Sequence, residues 1–216
     1  MAFKVTDGMS FLFSSTFGTA KTATAITNAA PPVASSVAHG FANGDELLLG
    51  SNWERITDSI VRASGVAADT LQLAGLDTTS TAFYAAGGGA GTTLRKVTGW
   101  QEVPQVETYD VQGGDPVFKT IKLLKRVQAN TFPTGGFDPV RITLKMVYDP
   151  SLAGYQALLA ISRAVTPVAF KMQLADAALS ASYGYGNLIV KESPVNEDGV
   201  LKVTATFTAL GLSVSY

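Results

Sequence analysis

The amino-acid sequence predicts a mainly β protein: a β-sandwich or barrel with one flanking α-helix at about 149–165 and a small β module inserted at 34–91. Three observations lead there. Only Asp149–Val165, DPSLAGYQALLAISRAV, clearly repeats its apolar residues at helical spacing. Most of the remainder reads as short strand-like runs separated by Gly, Pro, Asn and Asp. A lone amphipathic helix needs an apolar partner, and in a β chain that partner is a sheet face or a sheet end.

Taken in order, residues 3–6 and 9–17 suit a first strand or arm, and Lys21–Ala29 alternates as a second. Pro31-Pro32 breaks the pattern. Val33–Val37, Glu46–Leu49, Ile60–Ser64 and Thr70–Leu73 are short, evenly spaced strand candidates, with a tight turn at Asn43-Gly44-Asp45. Gly87–Gly91, GGGAG, marks a second boundary. Residues 34–91 are therefore expected as a module set into a larger domain of residues 1–33 and 92–216. Leu94–Val111 reads as strand, and Gly113–Pro116 as a turn. Val117–Val127 fits two readings: its Lys and Arg residues suit a helix face, while Ile121 and Leu123 alternate as in a strand. Ala129–Pro139 reads as loop, and Val140–Tyr148 as a cleanly alternating strand.

The helix follows at once. Asp149 is placed to cap it and Pro150 to occupy its first turn. Leu152, Tyr155, Leu158, Leu159, Ile161 and Val165 form the expected apolar face, and Pro167 ends it. Val168–Leu174 is a strand, and Leu179–Glu192 is a strand pair or one strand interrupted by Tyr183-Gly184-Tyr185-Gly186. Asn196–Gly199 is a turn, and Val200–Ala209 and Leu212–Tyr216 close the chain as strands.

Composition narrows the function. Sixteen basic residues against 17 acidic argue against tight phosphate binding, which needs clustered Lys and Arg. Only 15% of residues are charged, which suits either surface buried between subunits or a Ser/Thr/Ala/Gly-rich β protein. With no cysteine there is no disulfide framework and no thiolate metal site. The first twenty residues do not read as a signal peptide, and Gln156, Arg163 and Pro167 interrupt the most apolar window, so no membrane span is expected.

Catalytic chemistry finds few groups. His39 is the single histidine, no G-x-S-x-G surrounds a serine, and a ring just before a turn more often bonds the backbone. Asp110, Asp115, Glu197 and Asp198 sit at turns, where acids accept backbone N–H groups, and do not match a calcium loop. No cofactor site is expected. The segment Gln112–Asp138 is more suggestive, because a long connection in a small domain is usually functional or disordered. It carries Phe118, Phe132 and Phe137, poor choices for a solvated loop, and the basic residues Lys119, Lys122, Lys125 and Arg126. These seven are the candidate contact residues between subunits.

The order of features resembles the major tail tube proteins of long-tailed, siphovirus-like bacteriophages. Phe132–Leu159 carries the likeness, with a Pro/Gly loop feeding a strand, Asp-Pro and one helix; so do the closing strands Val200–Tyr216 and the module-like stretch His39–Tyr84. The first thirty residues and Val117–Val127 depart from it. The resemblance implies a β-sandwich with one flanking helix, whose copies form rings of six with their inner sheets joined around a channel. The rings stack into a tube that conducts DNA without binding it specifically. It also implies no active site, a place in the virion after synthesis in the host cytoplasm, and contacts with tape measure, tail terminator and tip proteins. Three other readings stay open: a surface-displayed adhesion or carbohydrate-binding module, for which exposed Trp53 and Tyr84 would speak; a tube protein of a contractile or secretion apparatus; and a carboxylate-pair hydrolase.

Overall fold

Ile142, Leu144 and Met146 are buried, while Arg141, Thr143 and Lys145 between them are not. The same period recurs at Val203, Ala205, Phe207 and Ala209, between Lys202, Thr204, Thr206 and Thr208. Each strand therefore has one face against a core. The computed structural model describes residues 8–122, 124–125, 130–174 and 181–216, with side chains for all of these but 130–135. The strand expected at 3–6, the first residues of the one expected from Leu179, and Arg126 lie outside the described residues.

The first half of the chain supplies β1 (Ser10–Ser14), β2 (Thr16–Phe17), β3 (Lys21–Thr22), β4 (Ala25–Ile26), β5 (Val33–Ser35), β6 (Glu46–Gly50), β7 (Ile60–Ser64), β8 (Thr70–Ala74), β9 (Thr93–Thr98) and β10 (Gln101–Glu102). Then come β11 (Val106–Gln112), β12 (Pro116–Ile121), β13 (Asn130–Phe137), β14 (Arg141–Val147), α1 (Ala153–Ala164), β15 (Val168–Gln173), β16 (Ala181–Val190), β17 (Val195–Glu197), β18 (Val200–Ala209) and β19 (Val214–Ser215).

The main sheet runs β10-β1-β15-β16-β18-β14-β11, all antiparallel, with β17 on β18 and β19 on β16. It folds over at β16, whose Ala181–Gly186 pair with β15 and whose Gly186–Val190 pair with β18. Strands from its two ends then meet across the core. Phe11 of β1 and Tyr109 of β11 have ring centroids 5.3 Å apart, and Phe170 of β15 stacks on Phe207 of β18 at 4.7 Å. The result is a two-layer sandwich, one layer built on β1 and β15, the other on β18, β14 and β11. Gly186 sits at the fold: a Cβ there would collide with the Thr208 carbonyl oxygen and lie 2.8 Å from the Ala209 Cα. The Tyr-Gly-Tyr-Gly run is thus no break, and β16 is one strand of ten residues.

The helix packs against this core through buried Tyr155 and Leu158, with Leu152, Leu159 and Ile161 half-buried beside them. Ser162 Oγ accepts a hydrogen bond from the Val190 N–H at 2.9 Å, fixing the helix on β16. Two sequence expectations fail at its ends. Asp149 does not cap it: Asp149 Oδ1 accepts the Ser151 N–H at 2.9 Å and the Ser151 hydroxyl at 2.6 Å, and the helix starts after Leu152. The local turn two residues on outcompetes a cap at greater reach, and Pro150 lies in that turn. Val165 leaves the apolar face to become the left-handed C-cap, with φ of 50° and 63% exposure.

A third expectation fails in the long connection. Residues 130–137, read as loop, form β13, which pairs antiparallel with β12 in a two-stranded sheet of their own. The ambiguous segment from Val117 is strand as far as Ile121. Pro133 faces Phe118 in this register, and a proline is tolerated in an edge strand such as β13, which pairs with β12 alone among the described strands.

The remaining strands run β2-β9-β6-β7-β8-β5-β4, with β3 also on β9. Residues 21–26 close this sheet on itself. Lys21, Thr22 and Ala23 bond to β9 and the preceding Thr92, while Thr24, Ala25 and Ile26 bond to β5. The interior of the resulting small barrel is filled by Leu47, Leu49, Val61, Leu71, Leu73 and Leu94, all fully buried. The barrel draws on 21–26 and 93–98 as well as on strands between them. It sits on the outer face of the first layer, where Leu48, Ile60 and Val97 meet Ala169, Ala181 and Tyr183.

Candidate assembly surfaces

Two features of the sandwich present unpaired backbone. Among the described residues strand β11 pairs only with β14, and residues 107–112 are exposed, so one edge is open. Among the described residues strand β17 pairs only with β18, on the opposite side of the same layer. Exposed strand edges are templates for another strand. From the end of β11 the chain turns through Gly113 (φ 83°) and Gly114 (φ 81°) into the β12–β13 hairpin. An isolated two-stranded hairpin is at best marginally stable in water.

The candidate contact residues fall on that hairpin. Phe118 is 58% exposed and Phe137 49% exposed, and Ile121 and Leu124 also face solvent. Lys119, Lys122 and Lys125 are exposed with them. Phe132 lies opposite Lys119 in the register, with its side chain outside the described residues, as is all of Arg126. At the hairpin base, Phe137 joins Leu210 and Leu212 along a groove of about 390 Å³.

The outer face of the second layer carries Thr143, Lys145, Lys202, Thr204, Thr206 and Thr208, half-exposed. Two of its cations are held, while Arg141, opposite Thr208 on the same face, is exposed. The Lys145 ammonium lies 2.7 Å from the Glu197 carboxylate, and Lys202 lies 2.6 Å from Glu107. The hydrogen bond from Lys145 holds the Glu197 carboxyl below its ordinary range, and the one to Glu107 holds Lys202 above its own.

A part-buried polar cluster fixes the barrel to the first layer. Glu46 of β6 accepts from Lys171 of β15 at 2.9 Å and from the Tyr183 hydroxyl of β16 at 2.6 Å. Arg62 of β7 donates to the same Tyr183 oxygen at 2.9 and 2.7 Å. Burial first, then the Glu46 carboxylate, pushes the Tyr183 hydroxyl far above its ordinary range, so it remains a donor. Tyr216 takes the Arg62 backbone N–H at 2.8 Å and donates to the Ala74 carbonyl at 2.8 Å. Sequence reading missed this cluster, since its members are scattered over residues 46–216. It also missed the threonine face, whose alternation in Lys202–Thr208 was legible.

Groups that suggested other functions are occupied elsewhere. Trp53 and Tyr84 are buried and meet edge to face at 5.4 Å, with Trp53 Nε1 donating to the Ala85 carbonyl at 3.0 Å. They offer no exposed aromatic platform for a sugar. His39 is buried: its Nδ1 accepts the Phe41 N–H at 3.0 Å and its Nε2 donates to the Ala67 carbonyl at 3.0 Å.

A folded-over antiparallel sheet with open edges and an exposed apolar hairpin belongs to a structural, interaction-bearing β protein. Its family can be named: residues 51–216 match the family model of the phage tail tube protein, TTP, and the chain belongs to that family. No match is found among curated proteins. Membership makes the chain a structural component of the virion. Among the described residues no helix is long and apolar enough to cross a membrane.

Proposed function

We propose that copies of this chain close into rings, that rings stack into the tail tube, and that DNA passes along its axis without specific binding. The observation that carries this reading is the pair of open edges on one layer, at β11 and β17. Joining β11 of one copy to the β17 side of the next removes both edges, and a head-to-tail contact of this kind closes by rotation. A ring of six, and contacts with tape measure, terminator and tip proteins, are supported by family likeness alone. The subunit is made in the host cytoplasm, acts without cofactor, and has no catalytic role. Residues 34–91 form an inserted module on the domain of 1–33 and 92–216, with β3, β4 and β9 as the seam; it lies on the tube exterior for display or reinforcement.

The β12–β13 hairpin is the stacking element. Phe118, Phe132 and Phe137 become buried against the next ring, and Lys119, Lys122, Lys125 and Arg126 face its acids or lie near the channel. A Phe118→Ala/Phe137→Ala variant tests this. Its subunits are expected to melt within about 2 °C of the parent, because surface substitutions cost roughly 0.5 kcal/mol or less. They are expected to stop lengthening into tubes, as followed by light scattering. Tubes that grow as readily as the parent's would remove the hairpin from the contact. Lost heat stability in the free subunit would place the phenylalanines in the subunit's own core.

A further inference from the structure

Resting on the ring-and-tube reading, we propose that the β17–β18 turn of a subunit in one ring docks in the groove at the hairpin base of a subunit in the next, so that the inserted barrel shares in the stacking contact. The two surfaces lie at opposite ends of one layer. Strand β11 leaves for the hairpin beside Arg141, and Leu210–Leu212 follow Ala209 at that same end. The turn lies at the other end: Glu197 pairs with Val200, past the last β14–β18 pair, Val147 with Lys202. The seven residues of β14, about 20 Å of strand, separate the two ends. A contact between opposite ends of identical subunits repeats along one direction, as a stack of rings requires.

The surfaces are complementary in shape, polarity and charge. The groove is concave, with Phe137, Leu210 and Leu212 from the hairpin and the sandwich and Glu54 and Arg55 from the barrel. The turn is convex and tight, closed by Asp198 (φ 52°) and Gly199 (φ 81°). Val195, Val200 and Leu201 around it are exposed, as are the three apolar residues of the groove, so each end offers an uncovered apolar patch. The charges are opposite. Pro116–Phe137 carries four basic residues and no acidic one, whereas Val195–Leu201 carries two acidic residues and no basic one. Arg55 holds its guanidinium over the Phe83 ring at 3.5 Å, and neither it nor Asp198 is in an ion pair among the described residues. Opposite potentials of this kind fix the register of a contact and reject like ends. Only the tip of the turn enters the groove, which leaves the edge of β17 to the neighbour within the ring.

The chain has no cysteine, so single thiols can be placed without background. Leu212→Cys marks the groove, Val200→Cys the turn and Ile121→Cys the hairpin, all at exposed positions. Single variants are mixed in pairs, assembled and treated with a short bismaleimide. Tubes are expected to give a crosslink between positions 200 and 212 at least tenfold in excess of one between 121 and 212, and dissociated subunits to give neither. A crosslink between 121 and 212 in its place means that a neighbour's hairpin fills the groove. That result, or tubes with no crosslink between 200 and 212, overturns the docking while leaving the tube reading intact. Absence of tubes from the parent overturns both. In a second arm, Asp198→Lys, at an exposed position, is expected to raise the concentration needed for tube growth at least tenfold while the free subunit melts as the parent does. Adding Lys119→Glu/Lys122→Glu to the same chain is expected to restore growth. Unchanged growth of the Asp198→Lys protein, or no restoration in the combined variant, removes the turn from the contact.

Discussion

Replacing residues 116–137 with two glycines is expected to leave a folded, monodisperse subunit or ring that no longer extends into tubes at any accessible concentration. The excision is structurally permissive. Gly114 and Asp138 are already neighbours, with the Gly114 N–H bonded to the Asp138 carbonyl at 2.9 Å, and among the described strands β12 and β13 pair only with each other. The hairpin's removal therefore costs the sandwich no ladder. It removes Phe118, Ile121, Leu124 and Phe137, four exposed apolar side chains. Burying such a side chain stabilises a contact by about 1.5–3 kcal/mol before ordering costs. Losing several at each of the repeated contacts in a ring raises the concentration needed for stacking by orders of magnitude, since about 1.4 kcal/mol is tenfold. Sedimentation of the excised protein beside the parent is the readout. A subunit that unfolds shows that the hairpin belongs to the subunit's own core; one that still forms tubes shows that stacking lies elsewhere.

Glu46→Ala is expected to cost the subunit about 3 kcal/mol, seen as a fall in melting temperature of roughly 6–12 °C. The side chains of Lys171 and Glu46 are only 15% and 13% exposed, so removing the carboxylate leaves a nearly buried ammonium and the Tyr183 hydroxyl without their acceptor. Breaking one partner of a buried pair is far more damaging than losing an exposed one. Glu192→Gln supplies the comparison: its pair with Arg163 is 2.7 Å long but lies in solvent, and its loss should leave the melting temperature unchanged. Because Glu46 and Arg62 belong to the barrel and Lys171 and Tyr183 to the sandwich, hydrogen exchange at the barrel–sandwich seam should rise in the Glu46 variant. A change as small as that of Glu192→Gln would mean that apolar packing of Leu48, Ile60 and Val97 alone fixes the barrel.

Where local pattern decides structure, the sequence was readable. Val140–Tyr148 alternates and contains β14, and Tyr155–Ile161 recurs at helical spacing and is the heart of α1. Reading failed where a local bond or a distant partner decides. Ser151 offers two donors to Asp149 and so takes it from the helix end. The two glycines and proline of Asn130–Phe137 look like loop, yet the segment pairs with β12, whose own pattern was ambiguous. Gly184 and Gly186 look like a break, whereas at Gly186 the second layer's backbone leaves no room for a Cβ. For the assembly surfaces, the exposed phenylalanines were legible as residues out of place in a solvated loop. The open edge of β11 was not, because strand order is a property of the whole chain and leaves no mark in any one segment.

The central claim, that this subunit builds a tube from rings, is tested most directly by negative-stain electron microscopy of the purified protein over a range of concentrations and salts. Closed rings and stacked tubes with an axial channel are the expected images, with excised or Phe118→Ala/Phe137→Ala protein giving rings without tubes. Dispersed monomers for the parent at high concentration in every salt would contradict it.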